Sequence, residues 1–399
     1  MPTISWTENG TRRTACWHSE NGASAPARIV VVDDRISAHT ALRLARSGSG
    51  LLWRGDFHNA RQLLRAMDRR LSQQSSPASA YAGLGALFHA NRQARSERAA
   101  LLGKILIALE QDHSIRLRRA PDARAACKHA YGKSANEPGK VASRMMLVSL
   151  PELLGVIGAY EWHRKGIDIA ALGARLHPAY GVFAPTRNEY IDLVAHAPLP
   201  HAIDRPRVFD IGTGIGVLAA VLARRGAGEV LATDINPRAV RCARENMRRL
   251  GLAGRVRVVE ADLWPAGQQR ADLIVCNPPW LPGCPTSPLE LGIYDPASDV
   301  LNRFLGGLAN HLTPHGEGWL ILSDLAEHLG LRTRDELLAH IAEAGLAVTA
   351  RYETAPRHPR VTDSTDPLHA ARTRERTILW RLTPRLPRMS SIGATRRRA

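Results

Sequence analysis

Four consecutive residues, Asn277-Pro278-Pro279-Trp280, have the types and the order to hold a planar nitrogen. They follow an apolar run, Ile274-Val275-Cys276, that reads as a strand. Two prolines after a strand stiffen the backbone and aim its carbonyl. The Asn277 side-chain oxygen and the Pro278 carbonyl can then accept both hydrogens of an –NH2 group, which orients the nitrogen lone pair. The face of Trp280 suits a flat substrate and favours positive charge developing beside it. Chemistry of this kind depends on positioning more than on proton transfer. Consistently, the sequence offers no Ser-His-Asp or Cys-His set and no H-E-x-x-H.

Upstream lie the parts of a nucleotide-like site. Asp210 ends the strand Arg207–Ile211, and Gly212-Thr213-Gly214-Ile215-Gly216 turns into a helix. Glycine is required where φ is positive or a ligand nears the backbone. The spacing is G-x-G-x-G and position 217 is Val, so the dinucleotide G-x-G-x-x-G pattern is not met. Asp234 ends the next apolar run, where a carboxylate can accept both hydroxyls of a ribose. Ile235 follows it, and Asn236-Pro237 supplies an N-cap and an N1 residue for a helix. Asp262 and Leu263 follow the third run, Val256–Glu260.

These pieces sit in an alternation of strands and helices. Strands are expected at 207–211, 230–234, 256–260, 273–277, 318–323, 347–352 and 377–382. Helices are expected at 217–225, 237–250, 298–312 and 332–344. The order implies a doubly wound, mostly parallel α/β sheet of Rossmann-like type. With Val208–Gly216, Ala232–Pro237, Ala261–Leu263 and Asn277–Trp280 in place, residues 180–325 resemble the HemK-type N-methyltransferases. These are class I S-adenosylmethionine-dependent enzymes that modify the glutamine amide of release factors. Val182-Phe183-Ala184-Pro185 is similar to their extended lead-in.

The resemblance implies a seven-stranded sheet with an antiparallel last strand and S-adenosyl-L-methionine as cofactor. It implies cofactor contacts from Asp210, Gly212, Thr213, Gly214, Gly216, Asp234, Ile235, Asn236, Asp262, Leu263 and Asn277. Asn277, Pro278, Pro279 and Trp280 would be catalytic; Phe183, Pro185, Asn277 and Trp280 would meet substrate. The implied reaction is methyl transfer to a planar nitrogen of a macromolecule, first a protein glutamine amide. The same Asn-Pro-Pro-aromatic element serves adenine-N6 and guanine-N2 methyltransferases of rRNA, tRNA and DNA, so a nucleobase is the alternative. A small-molecule amine or amide, or a non-catalytic nucleic-acid-binding protein, are further readings. Arg187-Asn188 stands where the HemK type carries acids, and Trp280 where it usually has Tyr.

The rest of the chain is read for partners. Its 399 residues carry a formal net charge of +17, and residues 1–150 hold 23 Lys and Arg against 11 Asp and Glu, a surplus of 12. That excess suggests a polyanionic partner such as RNA, DNA or a ribosome. Residues 1–27, polar and rich in Ser, Thr, Asn and Gly, are expected to be disordered, and 28–142 to form a basic, mostly helical domain. Val30-Val31-Val32-Asp33-Asp34 has the look of a phospho-receiver opening, but a helix rather than a second acid-ended strand is expected after it. Residues 143–200 are expected to connect the two parts, 201–382 to form the methyltransferase domain, and 383–399 to be a disordered basic tail. Five cysteines with no C-x-x-C argue against a disulfide framework and a zinc site, and fit a reducing cytoplasm. No run is long enough for a membrane span, and no signal-peptide core is present.

Overall fold

The computed structural model describes residues 2–73, 82–132, 145–185, 187–200, 204–357 and 361–385. The first part contains β1 (Thr3–Glu8), β2 (Thr11–Trp17), β3 (Arg28–Val32), α1 (Ala38–Arg46), β4 (Ser49–Trp53), α2 (Phe57–Ser72), α3 (Leu84–Leu102), β5 (Ile105–Leu109), α4 (Arg124–Tyr131), β6 (Met146–Ser149) and α5 (Leu150–Lys165). The second contains β7 (Ile167–Ile169), β8 (Ala174–Leu176), α6 (Glu189–His196), β9 (Arg207–Ile211), α7 (Val217–Arg224), β10 (Glu229–Asp234), α8 (Pro237–Arg249), β11 (Val256–Glu260) and β12 (Ala271–Cys276). It continues with α9 (Asp299–His311), β13 (Leu312–Ser323), α10 (Leu325–His328), α11 (Arg334–Glu343), β14 (Leu346–Thr354), α12 (His369–Arg372) and β15 (Thr377–Pro384).

The second part has the expected Rossmann-like α/β architecture. Its seven strands run in the order β11-β10-β9-β12-β13-β15-β14, with β15 antiparallel to both of its neighbours. The order reverses beside β9, so the ends of β9, β10 and β12 frame a crevice where ligands of such sheets bind. One face is covered by α6, α7 and α8, the other by α9 and α11. Local chemistry sets these elements. Asn236 Oδ1 accepts the Arg238 N–H at 2.9 Å and Pro237 occupies N1, so α8 starts sharply after β10. Thr333 and Glu336 form a reciprocal capping box at α11.

The first part corrects two expectations. It holds a six-stranded sheet, β1-β2-β6-β5-β4-β3, so residues 28–142 carry helices packed on a sheet rather than a helical bundle. Leu51 and Leu52 lie in β4, and Ile105 to Leu109 form β5 just after α3. A short apolar run fits helical spacing and a doubly buried strand equally well, and only burial on both faces separates them. The five residues of β4 are all buried. Nor are residues 1–27 without structure. Asn9 and Gly10, at φ 51° and 72°, turn β1 back on β2, and Trp6 and Trp17 bury their rings against Leu52, Leu106 and Leu147. Two positive φ values are what a two-residue hairpin turn needs. The basic tail expected over 383–399 falls mostly outside the described residues; Thr383 and Pro384 end β15.

The two parts share an apolar contact. Leu87 and Phe88 of α3 pack with Leu281, Leu325, Ala326, Leu329, Leu368 and Ala371 of the second part. Each large side chain so buried contributes about 1.5–3 kcal/mol. Among the described residues no helix is long and apolar enough to cross a membrane, and no cluster of His, Cys, Asp and Glu is placed to hold a metal ion.

Candidate active site

Two cavities meet at the end of β12. The larger, about 320 Å³, is lined by the turn after β9, the ends of β10 and β11, and the lead-in before α6. It gathers Asp210, Gly212, Thr213, Gly214, Asp234, Ile235, Asn236, Asp262, Leu263, Asn277, Pro278, Pro279, Phe183 and Pro185 into one wall. The second, about 200 Å³, is lined by Trp280, Arg187, Tyr294, Ser323, Glu375 and, from α3, Arg95 among others. Phe183, Tyr190, Asn277, Pro278 and Gly292 line both.

The first cavity is built by the turn. Gly212, Gly214 and Gly216 all have positive φ, at 72°, 57° and 88°. Asp210 is buried beneath the turn; its Oδ2 accepts the Thr213 hydroxyl at 2.6 Å and the Ala219 N–H at 2.9 Å, tying the strand to the helix. Burial pushes its carboxyl up to about 6, against those two hydrogen bonds. Asp234 accepts the Gly214 N–H at 2.9 Å and the Asn236 N–H at 2.8 Å, one on each oxygen. Burial also raises Asp234. Gly216 departs from its expected place. It does not line the cavity; a Cβ there would meet Met247 Cε at 2.8 Å, so its role is to let α7 pack on α8. Leu263 holds φ 63°, a conformation that costs a branched residue of order 1–3 kcal/mol. Its carbonyl accepts the Thr233 hydroxyl at 2.6 Å. Asp262 Oδ2 accepts Arg303 at 2.6 Å, and both residues line the cavity.

At the junction Trp280 Nε1 donates to Asn277 Oδ1 at 2.8 Å. The indole thus orients the amide while one lone pair of its oxygen stays available. Trp280 lines the second cavity and not the first. The Arg187 guanidinium lies 5.1 Å from the Trp280 ring centroid and is held by two buried acids, Glu189 at 2.6 Å and Glu375 at 2.9 Å. Ser323 Oγ donates to Glu375 at 2.5 Å. Tyr190, Arg187, Ser323, Glu375 and Arg303 were not among the residues expected from sequence. Tyr190 carried a usable signal, the helix start after the Pro185 lead-in; Glu375 carried none, since only the pairing of β15 with β13 brings it here.

Comparison with known proteins agrees with this geometry. Residues 175–334 match the methyltransferase small domain family. The chain is 39% identical over 147 residues to the ribosomal protein L11 methyltransferase of Pelotomaculum thermopropionicum, covering 37% of this chain and 40% of that protein. It is 34% identical over 121 residues to the release factor glutamine methyltransferase of Cereibacter sphaeroides, covering 27% and 44%. Over 183 residues it is 30% identical to the tRNA1(Val) (adenine(37)-N6)-methyltransferase of Shewanella loihica, covering 43% of this chain and 71% of that one. The chain belongs to the class I S-adenosylmethionine-dependent methyltransferases. It spans less than half the length of the first two of these relatives.

The residues present suit that family's cofactor. Ile235 is an apolar side chain left 64% exposed on the cavity wall, where an adenine ring would cover it. Asp234 beside it would offer its carboxylate to a ribose, and Asp262 would offer one to an adenine amino group. Of the cofactor contacts expected from the sequence, all but Gly216 line this one cavity.

Proposed function

We propose that this methyltransferase transfers a methyl group to a planar nitrogen of a macromolecule. The observation that carries the reading is that Asn277 and Pro278 line both cavities, one suited to the cofactor and the other opening beside Trp280. When bound, S-adenosylmethionine supplies an electrophilic methyl on a sulfonium. Asn277 Oδ1, aimed by the Trp280 N–H, accepts one hydrogen of the substrate –NH2, and Pro278 offers its carbonyl to the other. The nitrogen lone pair then points from the second cavity toward the first, and in-line approach supplies most of the rate.

The sequence resemblance puts a glutamine amide first; the second cavity supports a nucleobase instead. Phe183, Tyr190, Trp280 and Tyr294 give it four aromatic walls. An amide on an aliphatic stem needs no such enclosure, whereas an extruded base is held by stacking. The test is labelled methyl transfer from S-adenosylmethionine into fractionated extract of cells lacking this gene, with RNA and protein counted separately. Label in RNA supports the base; label confined to protein returns the glutamine reading.

A further inference from the structure

The basic first part is not a tether held at a distance from the chemistry. Its helix α3 turns one face to the catalytic part, with Phe88, Arg92 and Arg95 at positions i, i+4 and i+7. Phe88 is buried with Leu281 and Leu329. Arg92 lies 3.4 Å from the centroid of the Tyr294 ring and donates to the Cys284 carbonyl at 2.5 Å and to Glu290 at 3.2 Å. It therefore grips the segment that follows the Asn-Pro-Pro-Trp motif. One turn further on, Arg95 lines the cavity that contains Asn277 and Trp280.

The charges along this helix differ in a telling way. Arg92 is paired with Glu290, and Arg98 with Asp68 at 2.6 Å. Arg95, between them, is exposed and has no acid against it among the described residues. The other two guanidinium groups of this cavity, Arg187 and Arg372, are held by Glu189, Glu375 and Asp366, so the exposed and unpaired Arg95 is the one suited to an anion brought by the substrate. Resting on the nucleobase reading, we propose that Arg95 binds the backbone phosphate next to the target nucleotide. The first part of the chain thereby contributes a specificity-determining residue to the site itself. The substrate is a base within a polynucleotide, entered from the α3 side, and a free base or nucleoside would lack the contact.

Binding of the full-length protein to a mixed-sequence single-stranded RNA 20-mer, titrated against salt, tests this. Arg95→Ala should reduce the log–log salt slope by about 0.7, the value for one phosphate on a single strand. It should raise KM for methyl transfer into RNA roughly tenfold, more than it lowers kcat, as expected for a lost charged hydrogen bond of ground-state binding. Arg95→Lys should keep most of the slope, and Arg98→Ala, whose guanidinium already has Asp68, should leave it unchanged. Equal cofactor affinity in Arg95→Ala and parent, by calorimetry, establishes that the variant is folded. An unchanged slope and KM in a parent that does methylate RNA would overturn the Arg95 assignment alone. Label confined to protein, with no RNA binding by the parent, would overturn the nucleobase reading and this proposal with it.

Discussion

Two regions of this chain carry strands that run apolar into acids and then into helices, and they end in opposite ways. After β3, Asp34 accepts the Asp56 N–H at 3.0 and 3.2 Å and the Asn59 amide at 3.1 Å. Asp56, just beyond β4, caps α2 through the His58 N–H at 2.8 Å and pairs with Arg119 at 2.7 Å. The Arg119 guanidinium, with the His58 N–H, holds the Asp56 carboxyl below its usual range. Gly55 lies so close that a Cβ would stand 2.4 Å from Asp34 Oδ1. This crest is closed. A strand ending near an acid does follow β3 after all, contrary to the reason for which a receiver was set aside, yet its carboxylates are consumed by caps and an ion pair. After β9 and β10, Asp210 is buried and Asp234 half-buried, both are pushed up in pKa, and both line an open cavity. Acids that stabilise a fold are fully partnered as carboxylates; acids that wait for a ligand carry a desolvation cost that the ligand offsets.

The comparison can be broken at several points, and the largest effect lies at the junction of the cavities. Asn277→Ala should lower kcat roughly 10²–10³-fold, the scale of a lost transition-state hydrogen bond, with a smaller change in KM. Single-turnover transfer at saturating cofactor measures it. A loss within about threefold would mean that the nitrogen is held elsewhere and that the open crest is not the reaction centre.

Stability against pH separates the two crests next. Asp210 has a folded pKa near 6 against an ordinary 3.8, so it binds a proton in the folded state over a range where the unfolded chain has lost it. Stability from this group is therefore present below about 3.8 and falls as pH rises to about 6, by up to roughly 3 kcal/mol. Chemical denaturation at stepped pH should show a flatter profile over that window in Asp210→Asn. Asp56 has the opposite sign: its depressed pKa contributes stability above the ordinary carboxylate range and loses it in acid.

Cofactor affinity sharpens the contrast further. Asp234→Ala should weaken S-adenosylmethionine binding by about 1.5–3 kcal/mol, the range for hydrogen bonds to a charged group. Affinity in the parent should also decline on acidification sooner than an ordinary carboxylate would cause, since Asp234 is raised. Asp34→Ala should lower stability and leave that affinity unchanged. Calorimetry reads both; a cofactor effect from Asp34 would erase the distinction between the crests.

The smallest effect belongs to Trp280. Trp280→Phe keeps a flat ring and removes the N–H that aims Asn277, worth about 1 kcal/mol or roughly fivefold in kcat. Trp280→Ala should add a loss of substrate binding, visible as a higher KM in the same assay.

Much of the second part was legible from residues alone. The strands and helices expected from residue 207 onward lie within two residues of their observed bounds, except that β13 begins at Leu312 rather than at 318; alternating apolar runs, glycine turns and caps such as Asn236-Pro237 act over short distances. The wall of the larger cavity was legible for the same reason, since strand ends in a parallel sheet converge on one edge. The first part was misread where burial on both faces made strands such as β4 and β5 look like helix stripes, and where Asn9-Gly10 marked a hairpin in a segment read by composition.

By itself, the sequence determined which groups could hold a planar nitrogen and a nucleoside, because Asn277 to Trp280 and the G-x-G-x-G turn are contiguous and need no distant partner to be recognised. Tertiary structure alone decided what surrounds them. Arg187 meets Glu375 across 188 residues, and Arg92 meets Glu290 across 198. Trp280 gives its N–H to Asn277 rather than to substrate, and Arg95 reaches the pocket from another sheet's helix. Such contacts follow from how the sheets and helices pack, which depends on long-range burial that no local spacing encodes.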